Sequence, residues 1–398
     1  MPGRSLTFYE FFAGGGMARA GLGADWTCLF ANDIDPDKAA SYRLNWGADE
    51  FFDGDLGALA PEVLPGAVDL AWASFPCQDL SLAGGGKGMG EANDEVRTRS
   101  GAFWLFHDKI RHLHSCGRAP RAIVLENVVG VLTSHGKRDF QAIVAALDAL
   151  DYCVGALVLN AGLFTPQSRP RVFFVALAKP LFSAFLRGAS FFGEAPDADW
   201  SPPALLAAQA SLASLSPDLA ANWVWWRLPP PALRNIHLAD ILEDSPADAP
   251  WRAPAATQRL LALMAPAHRD KIRDIEASGH IRIGAVFRRT RIDEDGVKRQ
   301  RAEARFDGMA GCLRTPGGGS SRQTLLEVRG ESIRSRLLSS REAARLMGLP
   351  ESYLLPANAT KAYKLCGDGL CVPVIRHLAE HLLQPLLRAT PAALAVAE

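Results

Sequence analysis

Over residues 1–180 the chain alternates short apolar runs with segments whose apolar positions recur at helical spacing. The runs LTFYEFFA, TCLFAND, VDLAWASF and RAIVLEN have the length and the aromatic or β-branched content of strands. Between them, MARAGLGA, PDKAASYRLNW, GAFWLFHDKIRHLH and DFQAIVAALDAL read as helices, and CVGALVLN with RVFFVAL closes the series as a hairpin-like pair. Strictly alternating strands and helices predict an α/β fold, a Rossmann-like and mainly parallel sheet covered on both faces.

From about residue 181 the pattern breaks into Pro- and Ala-rich segments, the aromatic cluster NWVWWRLPPP and a basic stretch. This region reads as a smaller, irregular second domain over 181–335, with Trp223, Trp225 and Trp226 as a hydrophobic brace. Order returns at SSREAARLMGLP, where Ser339 and Glu342 have the spacing of a capping box. A last helix over Val372 to Leu387, begun by Pro373, is expected to pack back on the first domain, so 336–398 completes it.

Size and charge narrow the classes. A chain of 398 residues with 48% hydrophobic positions can bury a large core, and none of its apolar runs is long enough to span a bilayer. Its 43 Lys and Arg balance 43 Asp and Glu, yet residues 281–345 hold 15 cations against 8 carboxylates, a local basic face suited to phosphates. The seven cysteines are odd in number and lack CxxC pairs, which fits thiols in a reducing compartment and a cytoplasmic protein without a leader or membrane partner. Cys366 and Cys371 precede His377 and His381, but the gap between Cys371 and His377 is far shorter than the roughly 12 residues of a zinc finger. No metal is expected there; the two histidines read as one exposed stripe of the last helix.

Candidate chemistry clusters at strand ends. Cys77 follows Phe75-Pro76 on a turn directly after VDLAWASF, where a thiol is held in position rather than packed. Taken alone, a single cysteine is more often a packing residue. Glu126-Asn127 ends RAIVLEN, which brings a carboxylate to the same edge of a parallel sheet. Gln167, Arg169 and Arg171 stand at alternate positions leading into RVFFVAL and so are expected to share one face. FYEFFAGGGMARAGLG sets a Gly-rich turn between a strand and a helix, with Asp33 and Asp35 about 20 residues beyond it, as in nucleoside-binding units. No Lys, Ser or Thr follows that turn to hold a phosphate, so a phosphate-free nucleoside fits better.

These motifs, in this order, resemble the DNA (cytosine-5)-methyltransferase family of bacterial type: Pro76-Cys77-Gln78, Glu126-Asn127-Val128 and Gln167 to Arg171. The resemblance covers residue 6 to about 180 and 339–388. It implies S-adenosyl-L-methionine as cofactor, held by Phe12, Gly14, Gly16, Asp33, Ile34, Asp55, Pro76 and, less directly, Asp368. The family has Asn where this chain has Asp368. Without the resemblance, Phe12 is equally a core residue and Asp55 a turn residue. It further implies that Cys77 attacks carbon 6 of a flipped cytosine, that Glu126 serves nitrogen 3, and that Arg171 and Arg169 support the site. The glycine-rich run Ser81 to Arg99 would be a closing lid.

The partner implied is double-stranded DNA. Gln78, Ser81, Arg99 and Gln167 are expected to touch it, together with Arg299 and Arg301 at phosphates and Arg314 and Arg322 at bases. The chain is expected to act as a monomer and to fit the modification half of a restriction system, with a cognate restriction endonuclease acting on the same site. The alternatives are a tRNA cytosine-5 methyltransferase of similar fold, although no Cys-Phe-Thr signature is present, and a cofactor-binding DNA regulator without turnover.

Overall fold

A computed structural model describes residues 4–76, 101–185, 191–292, 295–315 and 322–389. The chain divides into two compact units, one built from 1–159, 170–231 and 374–398, the other from 160–169 and 232–373.

The first unit is built on a seven-stranded sheet of order β3-β2-β1-β4-β5-β7-β6. Its strands are β1 Leu6–Phe11, β2 Trp26–Asp33, β3 Phe51–Asp53, β4 Leu70–Ala73, β5 Ala122–Val128, β6 Tyr152–Asn160 and β7 Pro170–Ala178. Strands β1 to β5 pair in parallel, and β7 runs antiparallel to β5. Every residue of β4 is buried, as a central strand covered on both faces requires. Helix α1 (Met17–Leu22) follows β1, and α2 (Pro36–Trp46) follows β2, with Asp35 as N-cap and Pro36 in its first turn. Helices α3 (Ala102–Ser115) and α4 (Arg138–Asp148) bury Phe103, Phe106, Ile110 and Leu113, and Phe140, Ile143, Val144 and Leu147. Those positions are one helical face each, and they join the sheet's main core.

Sheet order reverses between β1 and β4. Such a switch point opens a crevice beyond the carboxyl ends of the strands, the usual place for a ligand in an open α/β sheet.

Residues 181–231 belong to the first unit, including the short strands β8 Phe192–Gly193 and β9 Trp225–Trp226. The tryptophans brace it: Trp226 Nε1 donates to Val175 O at 3.1 Å, and the rings of Trp223 and Phe140 lie 5.6 Å apart. From Val374 the chain returns to this unit, where Arg121 Nη1 donates to Leu387 O at 2.8 Å. The histidine stripe needs correcting. His381 is exposed, but His377 is buried, its Nε2 2.8 Å from Pro229 O.

The second unit is more regular than its sequence suggests. It holds an antiparallel sheet of order β11-β10-β12-β13, with β10 Arg282–Ile292, β11 Lys298–Arg305, β12 Thr324–Arg329 and β13 Ser332–Leu337. The helices Pro254–Ala262 and Pro266–Ser278 contribute Leu260 and Ile272 to a core with Met264, Val286, Ala302, Ala304, Leu326 and Val328. The expected capping box forms: Ser339 accepts from Glu342 N–H, and Glu342 accepts from Ser339 N–H. Glu342 also makes a two-pronged ion pair with Arg336, both side chains almost fully buried.

Candidate active site

The turn after β1 is left-handed at Phe12 (φ 57), Gly14 (φ 57) and Gly16 (φ 76). Glycine relieves the strain at two of the three. At Gly16 there is a second reason: a Cβ would lie 2.2 Å from Trp46 Nε1, the same nitrogen that donates to Gly15 O at 3.0 Å. A Cβ at Gly14 would meet nothing within 4 Å, so the backbone there borders open space. Phe12 reaches the same region without glycine because Asn32 holds it: Phe12 N–H donates to Asn32 Oδ1 at 3.2 Å and Ala13 N–H to Asn32 O at 2.7 Å.

Asp33, 7% exposed, knits the ends of β1 and β2 together. Its Oδ2 accepts from Gly14 N–H and its Oδ1 from Asp35 N–H, both at 2.8 Å. Burial pushes its carboxyl above the usual range, against the pull of Lys38 and these two N–H groups. The next residue, Ile34, is 64% exposed, an apolar platform beside a carboxylate. Asp55, after β3, accepts from Gly57 N–H at 2.8 Å, and Pro76 emerges to solvent after buried Phe75. Carboxylates suit sugar hydroxyls and an amino group, an exposed isoleucine suits a flat ring, and residues 12–16 carry no cation for a phosphate. This set fits an uncharged nucleoside moiety.

One supporting residue escaped the sequence reading. Glu10, inside β1 and 1% exposed, accepts from Ala18 N–H at 3.1 Å and Arg19 N–H at 3.4 Å through Oε1. It serves the first turn of α1, whose own N-cap, Gly16, has no side chain. Its Oε2 has no partner among the described residues. Burial pushes the carboxyl up to about 8. The only available signal was an acid inside an otherwise apolar strand.

At the neighbouring strand ends, Ala73 of β4 pairs with Leu125 of β5, so Glu126, still within β5, lies at the end of the sheet from which Phe75-Pro76 depart. Glu126, 7% exposed, meets Arg171 with Oε1 3.1 Å from Nε. Asn127 Nδ2 donates to Phe75 O at 3.3 Å and fastens the turn that leads to Cys77. Cys77, Gln78, Ser81 and Arg99, with the lid between them, lie outside the described residues.

Gln167 and Arg169 precede the strand that holds Arg171. β7 begins only at Pro170, and residues 160–169 fold with the second unit. Gln167 is 0% exposed, its Nε2 donating to Leu346 O at 3.0 Å and its Oε1 accepting from Leu313 N–H at 3.0 Å. It is a buried tie within the second unit. Arg169 is similarly employed, donating to the carbonyls of Leu313 at 2.9 Å, Gly367 at 3.0 Å and Gly369 at 2.7 Å. Arg171 pairs with Glu126.

Elsewhere in the second unit, Arg299 and Arg314 are exposed and Arg301 is half-buried. Arg322 lies over the Tyr363 ring at 5.0 Å and donates to Leu338 O at 3.1 Å. Asp368 is exposed and accepts from the Thr315 hydroxyl.

Known proteins carry the same architecture. Dnmt2 methyltransferase of S. pombe superposes with a TM-score of 0.55 at 18% identity, covering 96% of this chain and 99% of its own. The Entamoeba histolytica methyltransferase EhMeth does so with a TM-score of 0.60 at 14% identity, again over 96% and 99%. In sequence, the Type II methyltransferase M1.ScrFI of Lactococcus lactis subsp. cremoris is 25% identical over 389 residues, 95% of this chain and 78% of that protein. Type II methyltransferase M.NlaX of Neisseria lactamica is 28% identical over 386 residues, 94% and 95% respectively. The profile of the C-5 cytosine-specific DNA methylases matches residues 6–384. With nearly its whole length accounted for in this way, the chain belongs to the C-5 cytosine-specific DNA methylase family and is a DNA (cytosine-5-)-methyltransferase.

Proposed function

We propose that the reaction runs through Cys77, Glu126 and Arg171, with S-adenosyl-L-methionine as methyl donor and a flipped cytosine of double-stranded DNA as acceptor. The observation that carries this reading is the Glu126–Arg171 pair, at the end of the sheet where the neighbouring strand β4 runs on to Phe75-Pro76, the residues before Cys77 in the chain.

Carbon 5 of cytosine is a poor nucleophile until something adds at carbon 6. The Cys77 thiolate makes that bond and turns the ring into an enamine; thiolate suits the task because it is strongly nucleophilic and leaves again on elimination. Glu126 holds a proton toward ring nitrogen 3, where negative charge would otherwise accumulate. Arg171 fixes the orientation of Glu126, and Asn127 holds the Phe75 carbonyl, two residues before the thiol in sequence. Once carbon 5 has taken up the methyl group, loss of its proton to a base breaks the carbon 6–sulfur bond, expels the thiolate and restores the ring.

Phe12, Gly14, Gly16, Asp33, Ile34, Asp55 and Pro76 would hold the cofactor. When bound, S-adenosylmethionine supplies an activated methyl group. Asp33 would accept from ribose hydroxyls on the lone pairs its two backbone contacts leave, and Ile34 would cover the adenine. Arg169 is a positioning residue in this scheme, and Asp368 accepts from the Thr315 hydroxyl. The second unit reads the target, with a cognate endonuclease as genetic partner and the cytoplasm as the compartment its free thiols favour.

The test is methyl transfer from labelled S-adenosylmethionine to duplex DNA and, in parallel, to tRNA, with the modified nucleoside identified by mass. We expect 5-methyldeoxycytidine from DNA. Label only in tRNA would replace the substrate, and label in neither would remove the activity.

A further inference from the structure

Two arginines of the second unit come together at the rim of its core. Val286, Ala302 and Leu326 belong to that core, which fixes the face of the sheet that their register partners share. Thr324 pairs with Val286 and Arg288 with Ala302, so both lie on this face. Arg288 is exposed, the next position after Val286 on that side of β10. Arg252 arrives from the segment that leads into the helix Pro254–Ala262. Its backbone N–H donates to Ser335 O at 2.8 Å, and its Nη2 donates to Thr324 Oγ1 at 3.3 Å. Because Thr324 is buried, this anchors the Arg252 guanidinium one rung from Arg288.

Nothing among the described residues balances the two cations. Arg305, Arg334, Arg336 and Arg345 of the same unit each meet a carboxylate, on Asp307, Glu327, Glu342 and Glu351. Arg288 Nη1 donates instead to the neutral Gln300 Oε1 at 3.3 Å, and Arg252 has only the neutral Thr324 hydroxyl for its guanidinium. Burial and the Arg288 cation both hold Arg252 below its ordinary value. An anion between the two would relieve the repulsion. Each guanidinium spends one N–H on a neutral oxygen and keeps others, and such forked donors match phosphate oxygens. Phosphate is also the anion that DNA presents along its whole length.

We propose that Arg252 and Arg288 clamp one backbone phosphate of the DNA substrate between them. This rests on the reading that the second unit engages DNA, and it assigns these two residues to affinity rather than to sequence discrimination.

The experiment titrates wild type, Arg252→Gln, Arg288→Gln and the double variant with a duplex carrying the methylated site and with a scrambled duplex, at salt from about 50 to 200 mM. A phosphate held by two guanidiniums is still one phosphate. The double variant should therefore lose about 0.9 of logarithmic salt slope, and each single variant less. Affinity should fall by the same factor on both duplexes. Arg288→Glu, at an exposed position, supplies the missing acid: it should raise the melting temperature without DNA and weaken binding to both duplexes.

A loss of about 0.9 in each single variant and roughly twice that in the double would overturn the clamp, by showing two separate phosphates. Lost discrimination at unchanged slope would overturn it by showing that these arginines read bases. A lower melting temperature for Arg288→Glu would overturn the unbalanced charge on which it stands. Unchanged affinity and slope in all variants would overturn it as well, and hydrogen exchange with and without DNA then separates the two failures. Amides of the second unit protected by DNA would confine the failure to the clamp; none protected would remove the reading beneath it too.

Discussion

Arg171 sits diagonally across the ladder from Glu126. Val128 is the register partner of Arg171 and Phe173 that of Glu126, so the two charged residues are offset by one rung pair on the same face, with Nε 3.1 Å from Oε1. A rigid antiparallel pair therefore holds the guanidinium against a carboxyl that is nearly excluded from water.

That relationship makes the pair separable by kinetics. Glu126→Gln preserves shape but cannot give up a proton, and turnover should fall on the order of a hundredfold or more. Arg171→Ala should also lower turnover by leaving Glu126 unoriented, with DNA affinity nearly unchanged in both. Single-turnover rates with prebound DNA measure this; a near-normal rate for Glu126→Gln would place the acid elsewhere.

Asp33 has two backbone partners besides its expected ligand. Asp33→Asn keeps one acceptor oxygen and should weaken S-adenosylmethionine binding about tenfold, the loss of one charge-assisted hydrogen bond. Ile34→Asp, at an exposed position, should weaken it without moving the melting temperature. Calorimetry distinguishes these. Unchanged affinity in both variants would withdraw the assignment of this strand edge to the cofactor.

Much of the first unit was legible because its elements are buried by simple rules: β4 is apolar throughout, and α4 repeats Phe140, Ile143, Val144 and Leu147 on one face. The second sheet was not, since the exposed half of the β10–β11 ribbon has no buried face and hence no two-residue hydrophobic period. Alternation of Gln167, Arg169 and Arg171 misled for a related reason. Spacing describes a strand only where a strand exists, and Pro170 marks where this one starts. The fates of Gln167 and Arg169 depend on carbonyls at Leu313, Leu346 and Gly367, far along the chain. No local pattern announces such partners.

Glu10 gives a pH signature. Its folded carboxyl keeps the proton up to about pH 8, whereas a free one releases it near 4.5. The folded state binds the extra proton in between, so this group's contribution to stability is complete below about 4.5 and falls as pH rises toward 8. Glu10→Gln should flatten that part of the melting-temperature profile. An identical slope in variant and wild type would show that Glu10 is ionised in the fold.

The buried Arg336–Glu342 pair should behave asymmetrically. Glu342→Ala leaves a guanidinium that is 2% exposed without its carboxylate and removes the carboxylate half of the capping box at the helix Ser340–Leu346, at a cost of about 3–5 kcal/mol. Denaturant unfolding checks this. A loss below about 1 kcal/mol would mean that water reaches the site and the pair is worth no more than a surface contact.

The central claim is that Cys77 forms the covalent bond to cytosine, and trapping tests it most directly. DNA carrying 5-fluorocytosine at the target cannot release the carbon 5 substituent, so the thioether should persist. Incubation with S-adenosylmethionine, denaturation and peptide mapping should place the nucleotide on Cys77, and Cys77→Ala should neither trap nor methylate. An active enzyme that forms no adduct, or forms it on another residue, would contradict the account.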